Sequence, residues 1–256
     1  MARDLIVHRD GPVTFLELDA PPLNLLTSEL RSSLCRAALE VGQDSAVRAV
    51  VIRSAYPKVF SAGSDVREFP DDAAAGVARA AHEHACFNAI ANMPQPVIAE
   101  LSGHVLGGGL ELALACDIRI ADESARLALP EAGLGVFPTG GGTQRMLRLL
   151  GPSRAKLFMI LGTSVTAAEA LDAGLVVDVV AAGEVSAAAC TLAMRIAGQP
   201  RRAVQAIKAA VDHGQRFGPV AGEAKEEQLA GLYGSPDAGE GVRAFLESET
   251  PRFDHS

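Results

Sequence analysis

The chain has 256 residues, 48% of them apolar, and a formal net charge of −8 at pH 7, which suits one large domain, or a core with a smaller appendage. The charge argues against nucleic acid or an anionic membrane as a partner, no apolar run reaches membrane-spanning length, and the N-terminus lacks the apolar run of a signal peptide. Cys35, Cys86, Cys116 and Cys190 are far apart, with no C-x-x-C pair, so reduced thiols, no metal site and a cytoplasmic location are expected.

Leu5–His8 and Val13–Leu18, separated by Arg-Asp-Gly-Pro, read as a hairpin. After the loop Ala20–Asn24, Thr27 or Ser28 caps a helix to about Val41, with Leu30, Leu34 and Leu39 roughly on one face. Arg48–Ser54 reads as a buried strand leading into a small-residue corner, Phe60–Val66. An Ala-rich helix spans Asp71 to Asn92 and is ended by Met93-Pro94-Gln95-Pro96. The apolar strand Pro96–Ser102 enters a glycine turn that opens a helix. Ile118–Ala121 and Ala125–Leu129 read as short strands, and Pro130–Gly142 as a long loop. Thr143 begins a helix to about Leu150, and two further helices precede a strand at Leu175–Val180. From Gly183 the pattern is helical almost to the end. Strands alternating with helices, then a helical tail, define an α/β core with a helical appendage.

Several generic catalytic motifs are missing. There is no G-x-S-x-G elbow, P-loop or H-E-x-x-H, and Pro138 stands where a G-x-G-x-x-G begun at Gly133 needs its last glycine. His82 and His84, two apart on a helix, point in different directions. Two glycine corners and two glutamates remain. Gly107, Gly108 and Gly109 let the backbone reach φ > 0 and leave no side chain between the peptide N–H groups and a ligand. The helix behind them begins with unpaired N–H groups and partial positive charge, so the corner suits an oxygen that becomes negative. Read alone, this stretch is equally a packing turn with Glu111 as a helix-start charge.

If the corner at Ser64 meets the corner at Gly108, their N–H groups make a two-donor oxyanion hole, each donor worth about 2.7–4 kcal/mol to a transition state with negative oxygen. Glu111 and Glu131 add two carboxylates with no basic residue adjacent in sequence. Two neighbouring carboxylates resist ionising together, so one holds a proton while the other accepts one, which suits proton movement next to a carbonyl. The alternative for Glu131 is a loop-start charge paired with Arg145, and periodicity does not choose. Asp65 reads as a turn aspartate bonded to nearby backbone, His104 as a strand-end imidazole, Asp117 as structural and Cys116 as a core thiol.

These stretches together resemble the enoyl-CoA hydratase/isomerase (crotonase) family over nearly the whole chain. Phe60–Glu68 is similar to its first oxyanion corner and Gly103–Asp117 to its second. Pro130–Gly135 followed by Gly140–Arg145 resembles its catalytic loop and next helix. Ala167–Val176 and Ala244–Phe253 match its C-terminal signatures. The resemblance implies a crotonase-like (ClpP/crotonase) spiral of ββα units, with residues 1–195 as the core and 196–256 as a helical trimerisation region. It implies a homotrimer or dimer of trimers. It also implies an acyl-CoA thioester bound at Ala62, Ser64, Asp65, Val66, Gly108 and Thr139, its adenine near the Ala62–Val66 backbone and its carbonyl held by the N–H groups of Ser64 and Gly108. No separate cofactor is implied, coenzyme A being part of the substrate.

Hydratases of this family carry both glutamates. In that scheme Glu111 orients and deprotonates a water that adds across the C2=C3 bond of a 2-enoyl thioester, and Glu131 exchanges the proton at C2. A Δ3,Δ2-enoyl-CoA isomerase and a weakly active acyl-CoA-binding paralogue are the alternatives. Three positions depart from the family pattern. Thr139 replaces a glycine, which narrows the pocket; Ser248-Glu249 replaces a basic pair; Leu161-Gly162-Thr163 inverts a usual order.

Overall fold

The computed structural model describes residues 4–254. Its strands form two sheets. The larger takes β1 (Leu5–Asp10), β2 (Val13–Leu18), β3 (Ala49–Ser54), β5 (Val97–Leu101), β7 (Ile118–Asp122) and β10 (Asp178–Val180), in that spatial order. β1 and β2 are antiparallel, and every later pair is parallel. The smaller sheet takes β4 (Val59–Ser61), β6 (His104–Leu106), β8 (Arg126–Ala128) and β9 (Val165–Thr166). Successive strands therefore alternate between sheets: β3 then β4, β5 then β6, β7 then β8. Each pair is followed by a helix: α2 (Ala73–Ala91), α3 (Gly108–Ala115) and α4 (Gly142–Leu161). That repeat is the expected spiral of ββα turns.

The central strands of the large sheet are buried on both faces, which is why β3 and β5 read as continuous apolar runs. One face, with Leu16, Leu18, Val50, Ile52, Val97, Ala99 and Leu101, packs on α1 (Ser28–Gln43), α2 and α3 in the main core. The other face, with Phe15, Val51, Ile98 and Ile120, is covered by α6 (Val185–Ala197) through Val185, Ala189, Ala193 and Ala197. Alanines four apart on one helical stripe bring that helix flat against the sheet. The Thr27 hydroxyl caps α1 by accepting from the N–H of Leu30 at 3.1 Å.

Three local expectations shift. Leu39 is exposed, since five residues beyond Leu34 carries it off the buried stripe, where Ala37 and Ala38 stand instead. The segment after the glycine at 103 forms β6 before the helix begins. The expected break after Leu150 is present: Gly151, with φ of 71°, leaves helical geometry and kinks α4 ahead of Pro152, and the second segment is capped by Gly162. Leu175 and Val176 are buried but lie outside β10. After α5 (Ala167–Asp172), β10 and α6, which runs across position 195, the chain is helical: α7 (Arg201–Phe217), α8 (Pro219–Leu229) and α9 (Pro236–Glu247). α7 and α8 pair closely because Gly214 faces Gly222, where an added Cβ would meet the opposing Cα at 3.1 Å.

Candidate active site

The first corner follows β4. Asn24, buried and with φ of 47°, anchors it by donating to the Phe60 carbonyl at 3.0 Å and to the Ser54 hydroxyl at 2.7 Å. The Ala62 N–H donates to Leu23 and the Leu26 N–H to Gly63, which leaves the chain turning at Gly63 with φ of 97°. The second corner follows β6, where Gly107 turns at φ of 52° into α3. The two corners touch. A Cβ on Gly63 would lie 2.7 Å from the Leu106 carbonyl oxygen and 3.2 Å from the Gly108 nitrogen; one on Gly108 would lie 3.4 Å from the Ser64 nitrogen. Only glycine fits at 63, where a side chain would meet the Leu106 carbonyl, and its bareness lets the two corners approach this closely.

Glu111, in the first turn of the wholly buried α3, is 2% exposed, and its Oε1 accepts from the Gly142 N–H at 2.8 Å. Its carboxyl therefore stands at the start of α4 as well as of its own helix, as the macrodipole favours. Burial is the larger influence and lifts its pKa to about 8; the charges of Glu83 and Glu131 add to the rise, while the N–H groups of Gly142 and Gly140 oppose it.

Glu131 opens a short 3-10 turn, Glu131–Leu134, and neither of its buried carboxyl oxygens is bonded to another described residue. An atom placed as a Cβ on Gly107 would sit 3.2 Å from its Oε1. Burial raises it to about 7, its own backbone N–H pulls down and Glu83 pushes up. The pairing of Glu131 with Arg145 does not occur. Arg145 instead donates to the Gly140 carbonyl at 2.8 Å and to Asn88 at 3.1 Å, holding the loop in front of α4.

The structure thus brings Ser64, Gly108, Glu111 and Glu131 into one neighbourhood. Asp65 turns to its own loop, accepting from the backbone and guanidinium of Arg67, which hold its carboxyl below the usual range. Val66 is exposed, Ala62 half-buried. The Thr139 hydroxyl donates to Glu83 at 3.0 Å. His104 is exposed on β6, and Asp117 binds Lys208 at 2.6 Å and the Val97 N–H, both outside the site. Cys116 is buried, its thiol pushed up to about 12 by burial. His82 faces Ser32 while His84 is exposed; no group of three His, Cys, Asp or Glu among the described residues is placed to hold a metal. No helix among them is long and apolar enough to cross a membrane.

Glu83 was missed by motif reading because it sits mid-helix in an Ala-rich run. The signal was its phase: Cys86, Phe87 and Ile90, three, four and seven residues on, form the buried stripe of α2, and Glu83 shares it. A cavity of about 540 Å³ lies elsewhere, between α7 and the end of α8, and none of the four site groups lines it.

A spiral of ββα turns with two glycine corners meeting beside buried carboxyls defines an enzyme of the crotonase fold. Residues 9–256 match the enoyl-CoA hydratase/isomerase family, and the chain belongs to it. It is 36% identical to the 2,3-dehydroadipyl-CoA hydratase of Escherichia coli, over 98% of each chain. It is 37% identical to the mitochondrial methylglutaconyl-CoA hydratase of Homo sapiens, over 90% of this chain and 70% of that one. The enoyl-CoA hydratase structure from Bacillus anthracis superposes with a TM-score of 0.93 at 33% identity, covering 99% of this chain and 100% of the other.

Proposed function

We propose that the enzyme is a hydro-lyase that adds water across the C2=C3 bond of a 2-enoyl-CoA thioester. The observation that carries this is the placement of two carboxyls, Glu111 and Glu131, beside two glycine corners that approach each other closely. As the water oxygen bonds to C3, the C2=C3 π pair moves toward C2 and the thioester oxygen gains charge. The N–H groups of Ser64 and Gly108 donate to that oxygen as an oxyanion hole, which rewards the transition state over the ground state. Glu111 removes the proton from water; burial makes it a strong base once ionised. Glu131 delivers a proton to C2; burial raises both carboxyls, so the pair can hold one proton between them near neutral pH. The relatives named above are hydratases of unsaturated CoA thioesters, which favours hydration over double-bond migration.

The thioester reading places the CoA along the Ala62–Val66 backbone. The assembly we infer is a trimer or dimer of trimers; its support is the row of exposed apolar side chains Val242, Phe245 and Leu246 on α9. The test is loss of the conjugated absorbance of short to long 2-enoyl-CoAs. Glu131→Gln should abolish it with thioester binding retained, and normal turnover in that variant removes Glu131 from the mechanism. A 3-enoyl-CoA giving a conjugated product without a 3-hydroxy product would establish isomerase activity instead.

A further inference from the structure

Glu83 lies on no motif, yet it joins the parts of the site. It is 1% exposed in the middle of α2. Its Oε1 accepts from the Ser64 hydroxyl at 3.0 Å, and its Oε2 from the Thr139 hydroxyl at 3.0 Å. An atom added as Cβ on Gly108 would lie 3.4 Å from the same Oε1, so this carboxyl borders both glycine corners. Two guanidinium groups flank it: Arg31 of α1, 3.7 Å from Oε1, and Arg79 one turn earlier on α2, 3.8 Å from Oε2. Arg31 is shared with Glu68 at 3.4 Å, and the Cys86 thiol lies on the same side. Facing it across the site are Glu111 and Glu131, whose proton affinities its charge increases.

A carboxylate needed only to neutralise the arginines has no reason to bind two hydroxyls on separate loops. We propose that Glu83 is a positioning residue of the active site: its carboxylate ties the Ser64 hydroxyl to the Thr139 hydroxyl and sets the separation between the first corner and the loop leading to α4. The first anchor orients the residue whose N–H faces the thioester oxygen. The second holds the chain that continues into Gly140 and Gly142, the donors to Glu111. Thr139, which departs from the family's glycine, thereby gains a function: its hydroxyl is the loop's handle on α2. The kinetic part of this proposal rests on the hydration reading; the structural part does not.

The experiment compares wild type with Glu83→Gln and Glu83→Asp by NMR titration of side-chain carboxyl carbons, assigned through Glu111→Gln and Glu131→Gln, and by kcat and KM for hydration. In Glu83→Gln the midpoints of Glu111 and Glu131 should fall by about one pH unit, because a like charge is gone. There kcat should fall about 10–100-fold with KM little changed, the mark of lost positioning rather than lost binding. Glu83→Asp keeps the charge but cannot span both hydroxyls, so its midpoints should stay near wild type while kcat falls. Midpoints unmoved in Glu83→Gln, or wild-type kcat in it, overturn the proposal. Should Glu83→Gln not fold, Thr139→Val cuts one anchor and leaves the arginines alone; it should show the same kcat-against-KM split, and wild-type kcat there overturns the clamp. A wild type that hydrates nothing counts against the hydration reading, and the titrations then judge Glu83 without turnover.

Discussion

Glu111 and Glu131 owe their chemistry to burial. Each binds its proton more tightly in the folded protein than in the unfolded chain, where an ordinary glutamate titrates at about 4.5. Their contribution to stability is therefore complete below about 4.5 and is lost as pH rises through about 7 for Glu131 and about 8 for Glu111. Glu111→Gln keeps an oxygen for the Gly142 N–H but carries no charge. Its melting temperature should exceed wild type's, little at pH 5 and by several degrees at pH 9, since each kcal/mol moves a chain of this size by about 2–4 °C. Scanning calorimetry at the two pH values reads this, and an advantage that shrinks as pH rises would contradict it. The same pair, coupled through one pocket, should give a bell-shaped kcat/KM profile with limbs near pH 7 and 8 that belong to the pair rather than to either acid. A flat profile between pH 6 and 9 would remove the two carboxyls from the rate-limiting chemistry.

Helices and strands hold these groups through contacts that leave no room for a methyl. α3 passes so near the end of β4 that a Cβ on Gly109 would fall 2.6 Å from the Ser61 carbonyl oxygen and 2.7 Å from its Cβ. Gly109→Ala should cost about 1–3 kcal/mol by the overpacking it forces, and it should lower activity by moving the Gly108 amide. Gly133 has open space around its Cβ position, so Gly133→Ala should unfold at a denaturant concentration close to wild type's. Equal midpoints for the two variants would mean that α3 and β4 are not in this contact. Most of these elements were legible: β3 and β5 as unbroken apolar runs, α2 as an Ala-rich helix ended by prolines, the two corners as small-residue turns. β4, β6 and β9 were not, because two or three residues carry no periodicity of their own and these, unlike β8, lie against glycine turns or a helix cap.

The C-terminal helices are what the fold leaves least enclosed. Phe245 is 83% exposed on α9, and α7 has no fully buried residue. If α9 meets a neighbouring copy, Phe245→Glu should convert a trimer-sized species to a monomer in sedimentation velocity, with the circular dichroism spectrum unchanged; wild type sedimenting as a monomer would remove the assembly altogether.

The order of residues along the chain was enough to specify an α/β core with a helical appendage, two glycine corners and two candidate acids, because these depend on local properties: apolar runs, turns only glycine can make, carboxyls at helix starts; the spiral was implied by the family resemblance. Chain order could not say that Glu131 ignores Arg145, that Gly63 lies against Gly108, or that Glu83 reaches Ser64 and Thr139. The two Glu83 bonds join residues 19 and 56 positions apart along the chain, and only packing α2 and α3 against both sheets makes such contacts, where burial then sets what each acid does with its proton.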